Sequence, residues 1–482
     1  MLIPRYPLIF AVLLAGGPVV WAQSDTSVLT PKTSTNPSPY SPPHSQFGFV
    51  VLDAKTGATL AENGAGRLLI PASVVKALAT AMALDKMGAD KVFPTVLYRT
   101  GKLENGILDG RLWIRGFGNP ALGSERGDSS QRADSVFGRF AQAIKVAGIR
   151  EIKGGVFGDA SFLAPEPPAR GALWEDVGNY YGATPTGLPF HDNQFVLELD
   201  GAPEKGHALS FLKSRPRQSG IGRLQIRAVT SAPGSLDSCF ILGAFWNTPR
   251  MIVGTCPAGK QPLEIKGSLP DPAWTIAREF EDYLRAQGFT VGKGEARGEE
   301  PFPALTGPSS DTVRLAEHLS PPLLELMAAT HGYSDNFYAA QLTALCGGVE
   351  AFRVWLGNQG AKGPVLHLLD GNGLSRQDRL TPSVLARLMA GFSRKPWFAH
   401  YRETLLGGKI CPIRPNAYAE GLQGKLWIKT GSLDGVASLA GYIQGQSGRL
   451  LVFAIIANHF DESVNSVRNQ WGTVLRSWQS RF

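Results

Sequence analysis

The sequence predicts a mixed α/β (α+β) protein whose main domain is assembled from both ends of the chain around a β-rich insertion. Three observations predict it. Strand patterns stand near both ends, at Phe47–Asp53 and Leu450–Asn458. Helix-forming segments follow the first strands and precede the last ones. From about Phe93 to Gly298 the texture changes to short apolar runs broken by Gly and Pro, such as LWIRGFGNP, GGVFGDASFL, QFVLELD and LQIRAVT. No repeat of fixed period is present.

The elements follow in order. Met1–Ala22 carries one positive charge (Arg5), an apolar stretch over Tyr6–Ala15 and Val20-Trp21-Ala22 with small residues at −3 and −1. It reads as a signal peptide cleaved after Ala22, with export to the periplasm, and as too short for a membrane span. Residues 23–46 are Ser/Thr/Pro-rich and read as a flexible leader. Phe47–Asp53, a turn at Lys55-Thr56-Gly57 and Ala58–Glu62 make a hairpin, and Pro71 opens a helix over Ala72–Met87. Within the β-rich middle, Ala273–Gln287 is an amphipathic helix. Helices return at Pro322–Cys346, Val349–Gln359 and Pro382–Phe392, and strands at Lys425–Lys429 (continuing past Gly431 to Ile443) and Leu450–Asn458. Ser463–Arg481 places Val464, Val467, Trp471, Val474/Leu475 and Trp478 on one helical face, which suits packing on the sheet better than a membrane surface.

Composition narrows the function. With 48 Lys+Arg against 40 Asp+Glu in 482 residues, the net charge is +8, without the polybasic block of a nucleic-acid binder. No apolar run beyond the N-terminus is long enough to span a bilayer. The eight His show no HxxH and the four Cys no CxxC, so neither metal nor cofactor is expected. In an exported chain the four Cys suggest two disulfides, Cys239 with Cys256 across a hairpin turning at Asn247-Thr248-Pro249, and Cys346 with Cys411 as a long-range staple. Four reduced thiols are the alternative.

Three short motifs carry chemistry. Ser73-Val74-Val75-Lys76 puts a hydroxyl and an amine on one helical face, and a serine becomes a nucleophile when a base takes its proton. Lysine serves as that base once burial or nearby cations lower its pKa. Ser334-Asp335-Asn336 offers a hydroxyl to relay protons and an amide to hold a carbonyl. Lys429-Thr430-Gly431, followed by Ser432, ends an apolar strand; it can pair with an extended peptide, hold a carboxylate and supply an oxyanion donor. Each has a bland reading by itself: a helix cap, a turn, a strand end. Lys55-Thr56-Gly57 repeats the third motif in a hairpin turn and is assigned only that structural role.

Together and in this order, the motifs are the signature of β-lactamases and penicillin-binding proteins. The long gap between Lys76 and Ser334 narrows the likeness. With PASVVK, GFGNPAL, GDASFL, Trp174, Tyr180-Tyr181-Gly182-Ala183, FHDNQF and Asp370-Gly371-Asn372-Gly373-Leu374-Ser375-Arg376, the chain resembles the class C low-molecular-mass penicillin-binding proteins, the D-alanyl-D-alanine carboxypeptidase/endopeptidase (DacB-type) family. Asn119 and Asn372 stand where that family usually has aspartate and serine.

The resemblance implies a β-lactamase/transpeptidase-like catalytic domain, with a five-stranded antiparallel sheet flanked by helices, over 47–93 plus 300–482. It implies an insert subdomain over 94–192 plus 267–299, with a nested one at 193–266. It implies Ser73, Lys76, Ser334, Asn336 and Lys429 as catalytic, and Thr430, Gly431 and Ser432 as substrate-binding. Asp159 and Arg376 are implied as contacts for the amino-acid end of a diaminopimelate side chain, against the bland readings of a turn former and a surface charge. Peptidoglycan stem peptides and β-lactam antibiotics are the implied partners. A fast-deacylating β-lactamase or a non-enzymatic β-lactam sensor are the rival readings of the same scaffold.

Overall fold

The structure is a computed structural model; it describes residues 38–163, 171–201, 204–217, 224–243, 250–259, 262–292, 312–415, 417–422 and 424–482. The expected signal peptide, most of the leader and the Asn247-Thr248-Pro249 turn lie outside these residues.

A five-stranded antiparallel sheet organises the molecule, in the order Leu426–Leu433, Val436–Gln444, Leu450–Asn458, Gln46–Asp53, Thr59–Asn63. Successive side chains of a strand point to opposite faces. Val50, Leu52, Tyr442, Val452 and Ala454 therefore face one apolar cluster, and Phe47, Phe49, Val51, Phe453 and Ile455 the other. Both faces are covered, so the first strand reads as an unbroken apolar run rather than an alternating one.

The first face packs on helices Val75–Met87, Leu323–Gly332, Asn336–Leu345, Gly348–Asn358 and Pro382–Phe392. The Val75–Met87 helix is buried all round from Val75 to Leu84, which explains its Ala/Leu composition and its lack of a polar face. The second face packs on the C-terminal helix Val464–Arg481 through Val467, Trp471, Val474, Leu475 and Trp478. The expected stripe thus faces the sheet. No helix among the described residues is long and apolar enough to cross a membrane. The last residues of the expected flexible leader are also tied down, since Trp471 Nε1 donates to the Tyr40 carbonyl at 2.8 Å.

The middle of the chain forms a second sheet around Pro94–Glu104 and Ile107–Gly116, covered by helices Ala133–Val146 and Pro272–Ala286. The second of these matches the expected helix, capped by Asp271 on Trp274 N at 2.9 Å. The first was missed, although Val136, Phe137, Phe140 and Ile144 give it a helical period. Val313–Leu319, expected in the catalytic part, is hydrogen-bonded to Pro94–Glu104 in this second sheet. A further cluster of its own, with Phe195, Leu197, Leu199, Ile241, Ile252 and Ile265, fills the segment expected to be nested.

Cys239 and Cys256 are bonded, beside antiparallel Phe240–Leu242 and Arg250–Val253. The second expected disulfide is corrected. Cys346 and Cys411 are free and buried, packed in different apolar clusters.

Candidate active site

The nucleophile segment is pinned to the central strands before it turns into a helix. Ile70 N donates to Asn458 Oδ1 at 2.7 Å, Asn458 Nδ2 returns to the Ile70 carbonyl at 3.0 Å, and Ser438 Oγ donates to the Pro71 carbonyl at 2.6 Å. Ala72 takes a left-handed φ of 51°, and Ala72–Val74 form a 3₁₀ turn, so the α-helix starts at Val75 rather than at Ala72. Ser73 sits on that turn and Lys76 in the first α-helical turn. Lys76 Nζ lies 2.6 Å from Ser73 Oγ, 2.7 Å from Asn336 Oδ1 and 2.6 Å from the Asn372 carbonyl.

Lys76 is fully buried, and burial pulls its pKa down to about 7, with Asp370 and Asp335 opposing. Its neighbours suit the neutral amine. Two hydrogens go to oxygens that can only accept, leaving the lone pair for the Ser73 hydroxyl proton.

The expected Pro322–Cys346 helix is in fact two, Leu323–Gly332 and Asn336–Leu345, broken at the second motif. Ser334 adopts φ 53°, and Asp335 caps the second helix by accepting from Tyr338 N at 2.9 Å. Asn336 turns its Oδ1 to Lys76 because its Nδ2 donates to the Tyr181 carbonyl at 2.9 Å. Ser334 Oγ accepts from Lys429 Nζ at 2.9 Å. Lys429 is also fully buried, spends a second hydrogen bond on the Thr430 carbonyl at 2.8 Å, and is driven well below its usual pKa by burial, then by Lys76 and Arg468.

Leu426–Leu433 is an edge strand. Its middle is covered where Leu406 bridges Ile428, and the strand then runs past the nucleophile turn. A β-carbon on Gly431 would stand 2.8 Å from Ser73 N and 2.9 Å from the Pro71 carbonyl oxygen, so only glycine permits this approach. Thr430 is half-buried and Ser432 exposed beside it.

Two expected contacts lie apart from this cluster of hydrogen bonds. Asp159 is buried, with Oδ2 3.2 Å from Arg115 Nε and Oδ1 accepting from Ser161 N at 2.9 Å. Arg376 is half-buried and donates to the Asp434 carbonyl at 3.2 Å, at the end of the edge strand. The second Lys-Thr-Gly copy is a turn, with Thr56 N donating to Asp53 Oδ1 at 2.8 Å.

Sequence reasoning missed several supporting groups. Asp370 accepts from the amides of Asn372, Gly373 and Ser375, which shapes the loop whose Asn372 carbonyl meets Lys76; the Asp-x-Asn-Gly spacing is the legible signal. Arg468, one place beyond Val467 on the apolar stripe of the last helix, donates to the Gly431 carbonyl. A charge against such a stripe could have been noticed. The two departures from the family pattern keep local contacts. Asn119 Oδ1 accepts from Ala121 N at 3.0 Å, and Asn372 Oδ1 from Leu374 N at 2.9 Å.

Comparison with known proteins agrees. Residues 41–477 match the D-Ala-D-Ala carboxypeptidase 3 (S13) peptidase family. The chain belongs to that family. It is thereby a serine-type D-Ala-D-Ala carboxypeptidase, a peptide hydrolase of the cell wall. A D-alanyl-D-alanine carboxypeptidase of Actinomadura sp. (strain R39) is 26% identical over 441 residues, 85% of this chain and 77% of that one. The D-alanyl-D-alanine carboxypeptidase DacB of Haemophilus influenzae is 26% identical over 442 residues, 87% and 86% respectively. The crystal structure of penicillin binding protein 4 (dacB) from Haemophilus influenzae shares the fold, with a TM-score of 0.71 at 21% identity, covering 91% of this chain and 98% of that one.

Proposed function

We propose that Ser73 attacks the carbonyl of the penultimate D-Ala of a peptidoglycan stem peptide while neutral Lys76 takes its proton. The contact that carries this reading is the buried amine 2.6 Å from the hydroxyl, with its other bonds given to two acceptors. The backbone N–H groups of Ser73 and Ser432 receive the oxyanion, a type of interaction whose loss costs about 10²–10³ in rate. Ser334, hydrogen-bonded to Lys429, relays a proton to the leaving D-amino acid. Asn336 orients the acyl amide and Lys76. Thr430 meets the leaving carboxylate, with Lys429 acting on it from behind through Ser334. Water then releases the acyl-enzyme, and no metal or cofactor enters the proposed chemistry.

The same serine opens the strained ring of a β-lactam, and the same acyl chemistry cleaves D-Ala cross-links as an endopeptidase. Asp159 and Arg376 are proposed, on the family likeness alone, as contacts for a diaminopimelate side chain. Asp159 is engaged by Arg115 and Ser161, so Arg376 at the rim is the freer of the two. We assign the catalytic part to 47–93 with 320–482, moving the return boundary past the Val313–Leu319 strand. The N-terminal segment is proposed to direct export to the periplasm, with cleavage after Ala22. The test is Ser73→Ala, which is expected to abolish covalent labelling by a fluorescent penicillin and release of D-Ala from a pentapeptide; unchanged labelling refutes the nucleophile.

A further inference from the structure

The turn bearing Ser334 is gripped from the insert. Asp335 uses Oδ1 to cap its helix, and its Oδ2 receives Arg126 Nη1 at 2.6 Å, from a loop 209 residues earlier. The same guanidinium places Nε 3.4 Å from Asp192 Oδ2, and Asp192 Oδ1 accepts from Tyr338 OH at 2.9 Å. Tyr338 N closes the ring on Asp335. The Arg126 guanidinium also lies over the Tyr333 ring, 5.2 Å from its centre. One cation therefore holds both neighbours of Ser334, a residue whose left-handed backbone a side chain disfavours.

We propose that Arg126 is a positioning residue for the reaction: its ion pairs with Asp335 and Asp192 clamp the Ser334 turn and offset the Asp335 charge beside Lys76. The groups around the Lys76 amine come from every side. Asp370 lies on the 370–376 loop, Asp335 on the turn, Lys429 on the edge strand and His331 on the preceding helix. Burial keeps His331 neutral, with a pKa of about 3. The two carboxylates favour the ammonium form of Lys76, and a guanidinium bonded to one of them weakens that pull. Losing Arg126 leaves Asp335 uncompensated, so Lys76 holds its proton to higher pH and is a base over a narrower range.

This inference rests on the reading of Lys76 as general base. The experiment measures the rate constant for acylation by a fluorescent penicillin against pH in the wild type, Arg126→Gln, Asp335→Asn, the double variant and Lys76→Ala. Arg126→Gln is expected to lower the neutral-pH rate about tenfold and to move the acid limb of the profile upward. Asp335→Asn, which keeps an oxygen for the Tyr338 amide, moves the limb downward, and the double variant returns it below that of Arg126→Gln. A lower rate at every pH with an unmoved limb means a merely structural contact and overturns the proposal. If Arg126→Gln does not fold, an unmoved limb in Asp335→Asn overturns it equally. Lys76→Ala separates the failures. Near-normal acylation there refutes the base assignment itself, whereas slow acylation there with unmoved limbs elsewhere refutes only the role of Arg126.

Discussion

Replacing Gly431 by alanine tests how closely the edge strand must approach the nucleophile. The new β-carbon would stand 2.2 Å from Ser438 Oγ, 2.8 Å from Ser73 N and 2.9 Å from the Pro71 carbonyl oxygen, where ordinary contact begins at 3.4 Å. Ser438 can relieve the first clash by rotating away, at the cost of its bond to Pro71. The other two are backbone atoms, so the strand and the Ser73 turn must part by about 0.5–0.6 Å, at the limit of what a catalytic constellation tolerates. Overpacking of this kind costs about 1–3 kcal/mol of stability. The larger effect falls on the oxyanion site, whose two proposed donors lie on the two segments being separated. Acylation is expected to fall about 10²–10³-fold, the usual cost of one such donor. The assay is the rate constant for labelling by a fluorescent penicillin, with thermal melting measured alongside. Adding Ser438→Ala to Gly431→Ala should recover part of the stability and none of the acylation, since the backbone contacts remain. Acylation within about threefold of wild type, well under the loss expected of one donor, would refute the claim that this approach sets the geometry.

Lys76→Ala is expected to slow acylation by about 10²–10⁴, as loss of a general base does. In the wild type the amine is neutral above its pKa of about 7 and an ammonium below it. Acylation should therefore drop about tenfold per pH unit on the acid side, and a flat rate between pH 5 and 8 would count against a lysine base. Trp471→Ala removes a fully buried indole between the last helix and the sheet and should cost about 3–5 kcal/mol in denaturant unfolding; a loss under about 1 kcal/mol, below the range for a core aromatic, would argue against the packing described. Thiol titration in denaturant without reductant should find two free cysteines, Cys346 and Cys411, while a count of zero would restore the second disulfide.

The parts legible in the sequence were those fixed by local chemistry. Apolar runs marked the strands at both chain ends, and Val467, Trp471, Leu475 and Trp478 marked a helix packed on them. The break at Ser334 was only partly legible: Gly332 and Ser334-Asp335-Asn336 are turn and cap residues, but the apolar, helix-forming stretches on either side carried one helix across them. The turn depends on a left-handed residue and a cap held in tertiary contact. The placement of Val313–Leu319 was hidden for another reason. VRLAEHL is short and only weakly alternating, so it carries little strand signal of its own, and its partner, Pro94–Glu104, lies more than two hundred residues away. At the site the motifs gave the reacting side chains but not the backbone groups that orient them. The carbonyls of Asn372 and Tyr181 have no residue-type signature, since any amino acid supplies one.

The burial of two lysines in one site has a consequence for where positive charge resides. Neither Lys76 nor Lys429 forms a salt bridge among the described residues, and taking an unpaired ammonium out of water costs several kcal/mol. Lys76 also disfavours the proton on Lys429. The fold therefore brings loss of the Lys76 proton down to about neutral pH, as a base requires. Arg468 is different, because a guanidinium holds its proton far more tightly. From the opposite side of the sheet it reaches the Gly431 carbonyl, in the strand proposed to meet the substrate's carboxylate. The sheet thus separates two electrostatic tasks that a single lysine could not perform together: a neutral amine at the nucleophile and a fixed cation behind the edge strand.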